Sequence, residues 1–333
     1  MTIFMPSPGT KTGGATTFVN KFGTGVRRLG HDVVPSFQQR FDQMLVIGDV
    51  PIRYYHQVFL TKLLRRRITQ RLDGVYAPTS TAGQWFWFWN LKAKFIHNFL
   101  ADKIIYQSRF SKISCEKFLG KTSAPSTIIY NGVDLKKFSP RSQGRSSTHI
   151  RLVTAGMFRR RDQIEPIVKA VQKLGPNYTL SIYGAHTENI ASLIDETKSD
   201  QRLMWEGKKS NDELARLLPQ HDIFLFSDQS ACPNVVLEAM SAGLPVVAFD
   251  RGSIRELVRE GVSGEVATLA KHDQFSNSYP FLEGDYHTLA IKIEMVAASL
   301  SKYQSGARRE AETRFDLDAM VASYIKFMEP RTS

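Results

Sequence analysis

Cysteine is scarce in this chain. Cys115 and Cys232 are the only two among 333 residues. They lie far apart and without a metal-type spacing, so they read as free thiols of a reducing compartment rather than as a disulfide framework. No apolar run approaches the roughly 20 residues that cross a bilayer. The opening residues lack a basic stretch followed by an apolar one and a small-residue cleavage site, so secretion is not expected and a cytoplasmic location is. Acidic residues are few in the first half: residues 1–150 hold 22 Lys and Arg against 7 Asp and Glu, and the remainder holds 22 against 25. A basic half attracts nucleic acid, anionic lipid headgroups or acidic small molecules, unless it is a solubilising surface with no partner. Helix-turn-helix, zinc and RNA-binding signatures are missing, so nucleic acid is not an expected partner.

What is present is an alternation of short apolar runs and helical stretches. Ile3-Phe4-Met5 predicts a strand, followed by a loop with Gly9, Gly13 and Gly14, a helix reaching Leu29, and a strand at Asp32-Val33-Val34. Gly9 and Gly14 have the spacing of a phosphate-binding P-loop, but Ala15 stands where that loop needs lysine, which excludes it. The same loop lacks GxGxxG, which argues against a nicotinamide enzyme. A Gly-Gly pair between strand and helix still lets backbone approach a phosphate closely. Further strands are predicted at Phe41–Gly48, Ile68–Gly74 and Lys103–Ser108.

Val58–Arg67 predicts a strongly basic amphipathic helix, either solvated or lying on a membrane surface. Gln84–Leu100 (QWFWFWNLKAKFIHNFL) is the densest aromatic cluster. Its helical spacing predicts one apolar face packed into the core, with a lipid-headgroup surface as the alternative. Residues 141–149 read as a polar linker. A second alternating series then begins with a strand at Ile150–Ala155 and a helix across Glu165–Leu174. Strands at Thr179–Tyr183 and Leu203–Trp205 and a helix at Asn211–Leu218 follow.

The most informative stretch is Asp222 to Asp250, DIFLFSDQSACPNVVLEAMSAGLPVVAFD. It reads as strand, loop, helix and strand, a βαβ unit that places ligands at the carboxyl ends of parallel strands. The helix is expected to start at Pro233-Asn234 with Asn234 as its cap, and its free amides attract an anion such as phosphate. Glu238 follows about one turn in, within reach of a ligand hydroxyl. The plainer reading of Glu238 is a solvated helix carboxylate.

PNVVLEAMSAGLPVVAFD, with RGSIRELVREGVSGEVA after it, resembles the donor-nucleotide signature of the family-4 retaining glycosyltransferases (glycosyl transferases group 1). The run IIYNGVDLKKFSP resembles the end of their first domain. The resemblance implies an α/β GT-B fold: two Rossmann-like domains with parallel sheets facing across a cleft, at 1–140 and 150–312, and a C-terminal helix in 313–333 returning to the first. It implies metal-independent transfer of a sugar from a UDP- or GDP-sugar to a glycan, lipid-linked or other hydroxyl, with retention. Glu238 takes the place of the family's ribose-binding glutamate. Gly13, Gly14, Gly156, Gly207, Ala231, Cys232, Pro233, Asn234 and Val235 fall on backbone positions of the donor site. Arg71 and Asp73, in RLDG, resemble the family's RxDG at the cleft.

Three positions depart from the family. Ser230 stands where a second glutamate faces the donor sugar, and Met157 and Asp162 replace a phosphate-binding arginine and lysine. Arg159, Arg160 and Arg161 lie between the latter two and are the expected substitutes, because guanidinium suits bidentate phosphate contact. Ser230, Arg71 and Asp73 are the expected catalytic group. The departures leave a second possibility, a non-catalytic partner subunit of the same fold.

Overall fold

The structure, a computed structural model, describes residues 1–6, 14–78, 83–141, 149–271, 275 and 279–329. The chain divides into two units, Met1–Gly132 with Phe275–Asn277 and Leu317–Ser333, and Val133–Gln274 with Ser278–Asp316. Gly13 and most of the residues read as a linker lie outside the described residues.

The first unit runs β1 (Thr2–Phe4), α1 (Gly14–Arg28), β2 (Asp32–Val34), β3 (Gln43–Ile47), α2 (Tyr55–Leu63), β4 (Arg67–Leu72), α3 (Phe86–Phe95), β5 (Lys103–Tyr106), α4 (Arg109–Phe118) and β6 (Ser126–Ile128). Its six strands are all parallel, in the order β2-β1-β3-β4-β5-β6. β3 is buried along its whole length, as a continuous apolar run in a parallel sheet requires. The terminal helix α12 (Leu317–Met328) belongs to this unit and packs on α1. Phe22, Val26, Val321 and Tyr324 meet in that contact without exposure. Burying such a side chain contributes about 1.5–3 kcal/mol. A Cβ on Gly25 would stand 2.7 Å from Val321 Cγ2, so glycine sets how closely the two helices approach.

α2 is shorter than its sequence suggests. It ends at Leu63, and Arg65 takes a left-handed φ of 55° while Arg66 N–H donates back to the Thr61 carbonyl at 3.0 Å. That is a Schellman-type closure with arginine where glycine is usual, so the arginine run leaves the helix and enters β4. The aromatic helix differs more. The buried residue of α3 is the polar Asn90, whose amide accepts from the Tyr76 N–H at 2.9 Å and donates to its carbonyl at 2.8 Å. The rings expected in the core face outward instead.

The second unit runs β7 (Ile150–Phe158), α5 (Glu165–Gln172), β8 (Tyr178–His186), α6 (Glu188–Thr197), β9 (Leu203–Gly207), α7 (Asn211–Leu217), β10 (Ile223–Phe226), α8 (Asn234–Ser241), β11 (Val246–Phe249), α9 (Ile254–Leu257), β12 (Gly264–Ala267), α10 (Glu283–Ala298) and α11 (Leu300–Arg314). Its six parallel strands are ordered β12-β11-β10-β7-β8-β9. The chain starts in the middle, winds outward to β9, returns to β10 beside β7 and winds the other way. The strand order therefore reverses between β7 and β10, where carboxyl ends diverge and leave a crevice.

Candidate functional site

A cavity of about 170 Å³ opens at that reversal, lined by Thr154 to Phe158 at the end of β7, by Phe226, Ser227, Asp228 and Ser230 after β10, and by Gln163, Pro233 and Val235. A larger cavity of about 820 Å³ lies at the other ends of the same strands, among Ile150, Arg151, Asp222 and Arg308. Two of its arginines are committed, Arg151 to Asp222 and Arg308 to the carbonyls of Leu135, Phe138 and Ser241, while Arg141 lines it exposed. Topology favours the smaller one. Parallel α/β sheets receive ligands at the carboxyl ends, where the following helices present their amino termini.

Each wall has a local cause. β7 and β8 come so close that a Cβ on Gly184 would stand 2.0 Å from the Gly156 carbonyl oxygen, so bare backbone borders the cavity. The loop after β7 folds around Gln163, whose Oε1 accepts from the N–H groups of Arg159 at 2.7 Å and Arg160 at 3.1 Å. Ser227 Oγ donates to the Gln163 carbonyl and ties this loop to the one after β10. The Ser230 loop rests on Gly252, where φ is +59° and a Cβ would be 2.5 Å from Ser230 O. The Ser253 N–H donates to that same oxygen at 3.0 Å.

α8 starts differently from expectation. Asn234 is its first helical residue and Pro233 is the cap position, with no side-chain cap bond. Asn234 is displaced because proline, lacking an N–H and fixed in φ, already fits the entry to the helix. Its first-turn amides are thus left without a capping side chain at the cavity wall, and the dipole makes that end electropositive. Ala231 and Cys232 lie in the connecting loop, and Cys232 is buried and in no disulfide. In the first unit, burial pushes the Cys115 thiol above its ordinary value.

An ion network joins Asp228 of the cavity wall to side chains outside it. Arg251, 5 % exposed, donates to the Ser227 carbonyl at 2.9 Å and to Asp162 Oδ2 at 3.3 Å. Arg160 donates to Asp162 Oδ1 at 2.9 Å and reaches Asp228 Oδ1 at 3.4 Å. Burial lowers the Arg251 guanidinium, and the carboxylates of Asp162 and Asp228 counteract it. Burial raises the Asp228 carboxyl above the ordinary carboxylate value, with Arg160 and Arg251 opposing. Protein encircles Asp228, yet 32 % of its side chain remains open. Arg251, Asp228 and Gln163 escaped the sequence reading. Their signal is positional only: each follows the end of a central strand.

The three arginines separate. Arg161 is gripped by Glu165 at 2.9 Å and Glu196 at 2.9 Å, which hold it more firmly charged, Glu196 most. Arg160 is committed to Asp162 and Asp228. Arg159 is exposed, and its guanidinium has no partner among the described residues. Glu238 lies outside the cavity wall, buried in α8, where its carboxylate accepts from Asn211 Nδ2 at 3.3 Å. Asn211 opens α7, four residues after Gly207, which ends β9 with φ +69°.

In the first unit, Arg71 is not an open-surface residue. Its side chain is 1 % exposed; Nε donates to Tyr324 Oη at 3.1 Å, Nη2 to Asn131 Oδ1 at 2.9 Å, and the guanidinium lies 3.8 Å over the Phe18 ring. It is a positioning group that ties β4 to α1 and α12. Asp73, 3.9 Å away, is partly open. Gly14 begins α1, next to a cavity of about 610 Å³ at the carboxyl ends of β1 and β2.

The fold has known counterparts. Residues 149–279 match the family model described as Glycosyl transferases group 1. The amylovoran biosynthesis glycosyltransferase AmsK of Erwinia amylovora is 24 % identical over 213 residues, 60 % of this chain and 49 % of that protein. A D-inositol 3-phosphate glycosyltransferase of Mycobacterium marinum is 28 % identical over 164 residues, 45 % of this chain and 35 % of its own. The chain thus spans about half the length, or less, of these curated relatives. Among solved structures, Anabaena HepE in complex with UDP and glucose superposes with a TM-score of 0.72 at 16 % identity, covering 98 % of both chains. Sucrose-phosphate synthase from Thermosynechococcus elongatus gives 0.76 at 16 % identity, covering 98 % of this chain and 97 % of its own. The fold is GT-B.

Proposed function

We propose that this chain is a retaining glycosyltransferase that moves a sugar from a UDP- or GDP-sugar to a hydroxyl acceptor in polysaccharide or glycolipid synthesis. The observation that carries this reading is the crevice at the strand-order reversal, with the uncapped end of α8 on one wall and bare β7 backbone on the other. The diphosphate lies against the amides of Ala231 to Val235, within reach of Arg159. Glu238 and Asn211 take the ribose hydroxyls beside Gly207. Ser230 hydrogen-bonds the sugar, contributing direction without a carboxylate's charge.

Transfer breaks the anomeric C–O bond towards the diphosphate and forms a bond from the acceptor oxygen on the same face, and the acceptor's proton passes to the departing phosphate oxygen. The barrier falls because negative charge grows on the departing diphosphate, which the fixed amides and the Arg159 guanidinium stabilise in this reading. Such donors need no metal to act. Asp73 belongs to the acceptor side in this reading, and Arg71 holds its strand.

A second reading, a GT-B subunit that binds nucleotide without turnover, is favoured by one observation: Asp162 and Asp228 neutralise Arg160 and Arg251 beside the cavity. A panel of UDP- and GDP-sugars, incubated with glycan and lipid-linked acceptors, separates the two. Release of UDP or GDP that depends on acceptor supports the enzyme. Tight nucleotide binding with no release from any donor supports the subunit.

A further inference from the structure

We propose that the outward side of α2 and of the helical segment 83–100 docks in the plane of an anionic lipid bilayer. Nothing in this proposal depends on the nucleotide reading of the second unit.

Asn90, Ile96 and Leu100 make the segment's inward contacts, while most of its rings face outward, with Lys92 and Lys94 among them. Trp85 is 58 % exposed, Trp87 55 % and Phe99 69 %, with Phe88, Trp89 and Leu91 open beside them. A contiguous exposed apolar patch of this kind marks an interaction surface. α2 lies alongside: the tilted rings of Phe59 and Phe95 meet with centroids 5.9 Å apart, and Tyr55 Oη donates to the Lys92 carbonyl at 2.8 Å. Its Leu60, Leu63 and Leu64 are likewise exposed. The two helices therefore present one continuous apolar strip rather than scattered side chains.

Charge selects the occupant. Residues 51–100 contain eight Lys and Arg against a single acid, Asp73; Lys62 and Lys92 pair with Asp102 and Asp49 just outside that stretch, and Arg71 is buried. Arg53, Arg65, Arg67 and Lys94 are exposed, and none has a carboxylate partner among the described residues. A second copy of this chain seated symmetrically on the strip would set those cations against their own equivalents, which opposes association. An anionic bilayer answers both features. Tryptophan settles at the headgroup boundary, leucine and phenylalanine below it, and each nearby Lys or Arg gains attraction from the surface potential. No helix among the described residues is long and apolar enough to cross a membrane, so the mode is in-plane.

Cosedimentation of the full chain with vesicles tests this, using phosphatidylcholine alone and phosphatidylcholine mixed equally with phosphatidylglycerol. The wild type is expected to pellet with the mixed vesicles and far less with phosphatidylcholine. Trp87→Ser with Trp89→Ser should lower the bound fraction about tenfold or more on both, and Arg53→Gln with Lys94→Gln on the mixed vesicles only. All four positions are exposed, and unchanged thermal melts of the variants show that the fold is kept. The proposal is overturned if the wild type stays in solution with both vesicles, or if the tryptophan variant pellets like the wild type. It is also overturned if light scattering shows a wild-type dimer that the tryptophan variant abolishes, because a second copy then occupies the strip.

Discussion

Asp162 stands between Arg160 and Arg251, one oxygen accepting from the first at 2.9 Å and the other from the second at 3.3 Å. A carboxylate here spends on itself the positive charge that stands next to Asp228 of the crevice wall. Replacing it with a neutral isostere keeps the shape and releases that charge.

Asp162→Asn is therefore expected to bind UDP or GDP more tightly than the wild type while losing stability. The loss is about 1–3 kcal/mol, from weaker bonds to a buried guanidinium. Calorimetric titration and urea unfolding read the two effects separately. Weaker nucleotide binding would show that Asp162 serves the ligand, contrary to this account.

Asp228 gives a pH signature. Burial raises its carboxyl above the ordinary 3.8, so the folded state favours the proton. Stability from that preference is complete below 3.8 and fades as pH climbs through the raised folded value. Asp228→Asn should therefore be more stable than the wild type at neutral pH, and the gain should shrink towards acid pH. Urea midpoints across pH decide it. An Asn variant weaker at neutral pH means that the bond to Arg160 outweighs burial.

Gly252→Ala should cost about 1–3 kcal/mol, because φ of +59° strains any Cβ and that Cβ meets the Ser230 backbone at 2.5 Å. The displaced Ser230 loop should weaken nucleotide binding as well. A melting temperature equal to wild type would remove the contact from the argument.

Arg159 and Arg161 make an internal comparison. Arg159→Gln should weaken UDP or GDP binding by about 1–3 kcal/mol, the value of a charge-assisted bond. Arg161→Gln should leave binding unchanged and lower stability, because its partners are Glu165 and Glu196. Reversed effects would place the diphosphate on the far side of the loop.

Much of this was legible in the sequence, for identifiable reasons. Ile223–Phe226 and Val246–Phe249 are short apolar runs bounded by turn residues, and both became buried central strands. Pro233 marked the start of α8 to within a residue, though the capping role assigned to Asn234 was not found. Arg251 was illegible because nothing local distinguishes an arginine that turns inward from one that faces water; Asp162, 89 residues earlier, decides it. The Arg65 closure was hidden because arginine rarely adopts a left-handed φ. The aromatic helix misled for a related reason: periodicity says which residues share a face, and Asn90 with Tyr76 determined which face turned in.

The central claim is that the crevice between the carboxyl ends of β7 and β10 holds a nucleotide diphosphate. A crystal soaked with UDP tests it most directly. The account predicts the diphosphate against the backbone of 231–235 and the ribose beside Glu238. UDP bound instead among Arg151, His221 and Arg308 at the opposite strand ends, or a crevice that stays empty at saturating UDP and GDP, would contradict it.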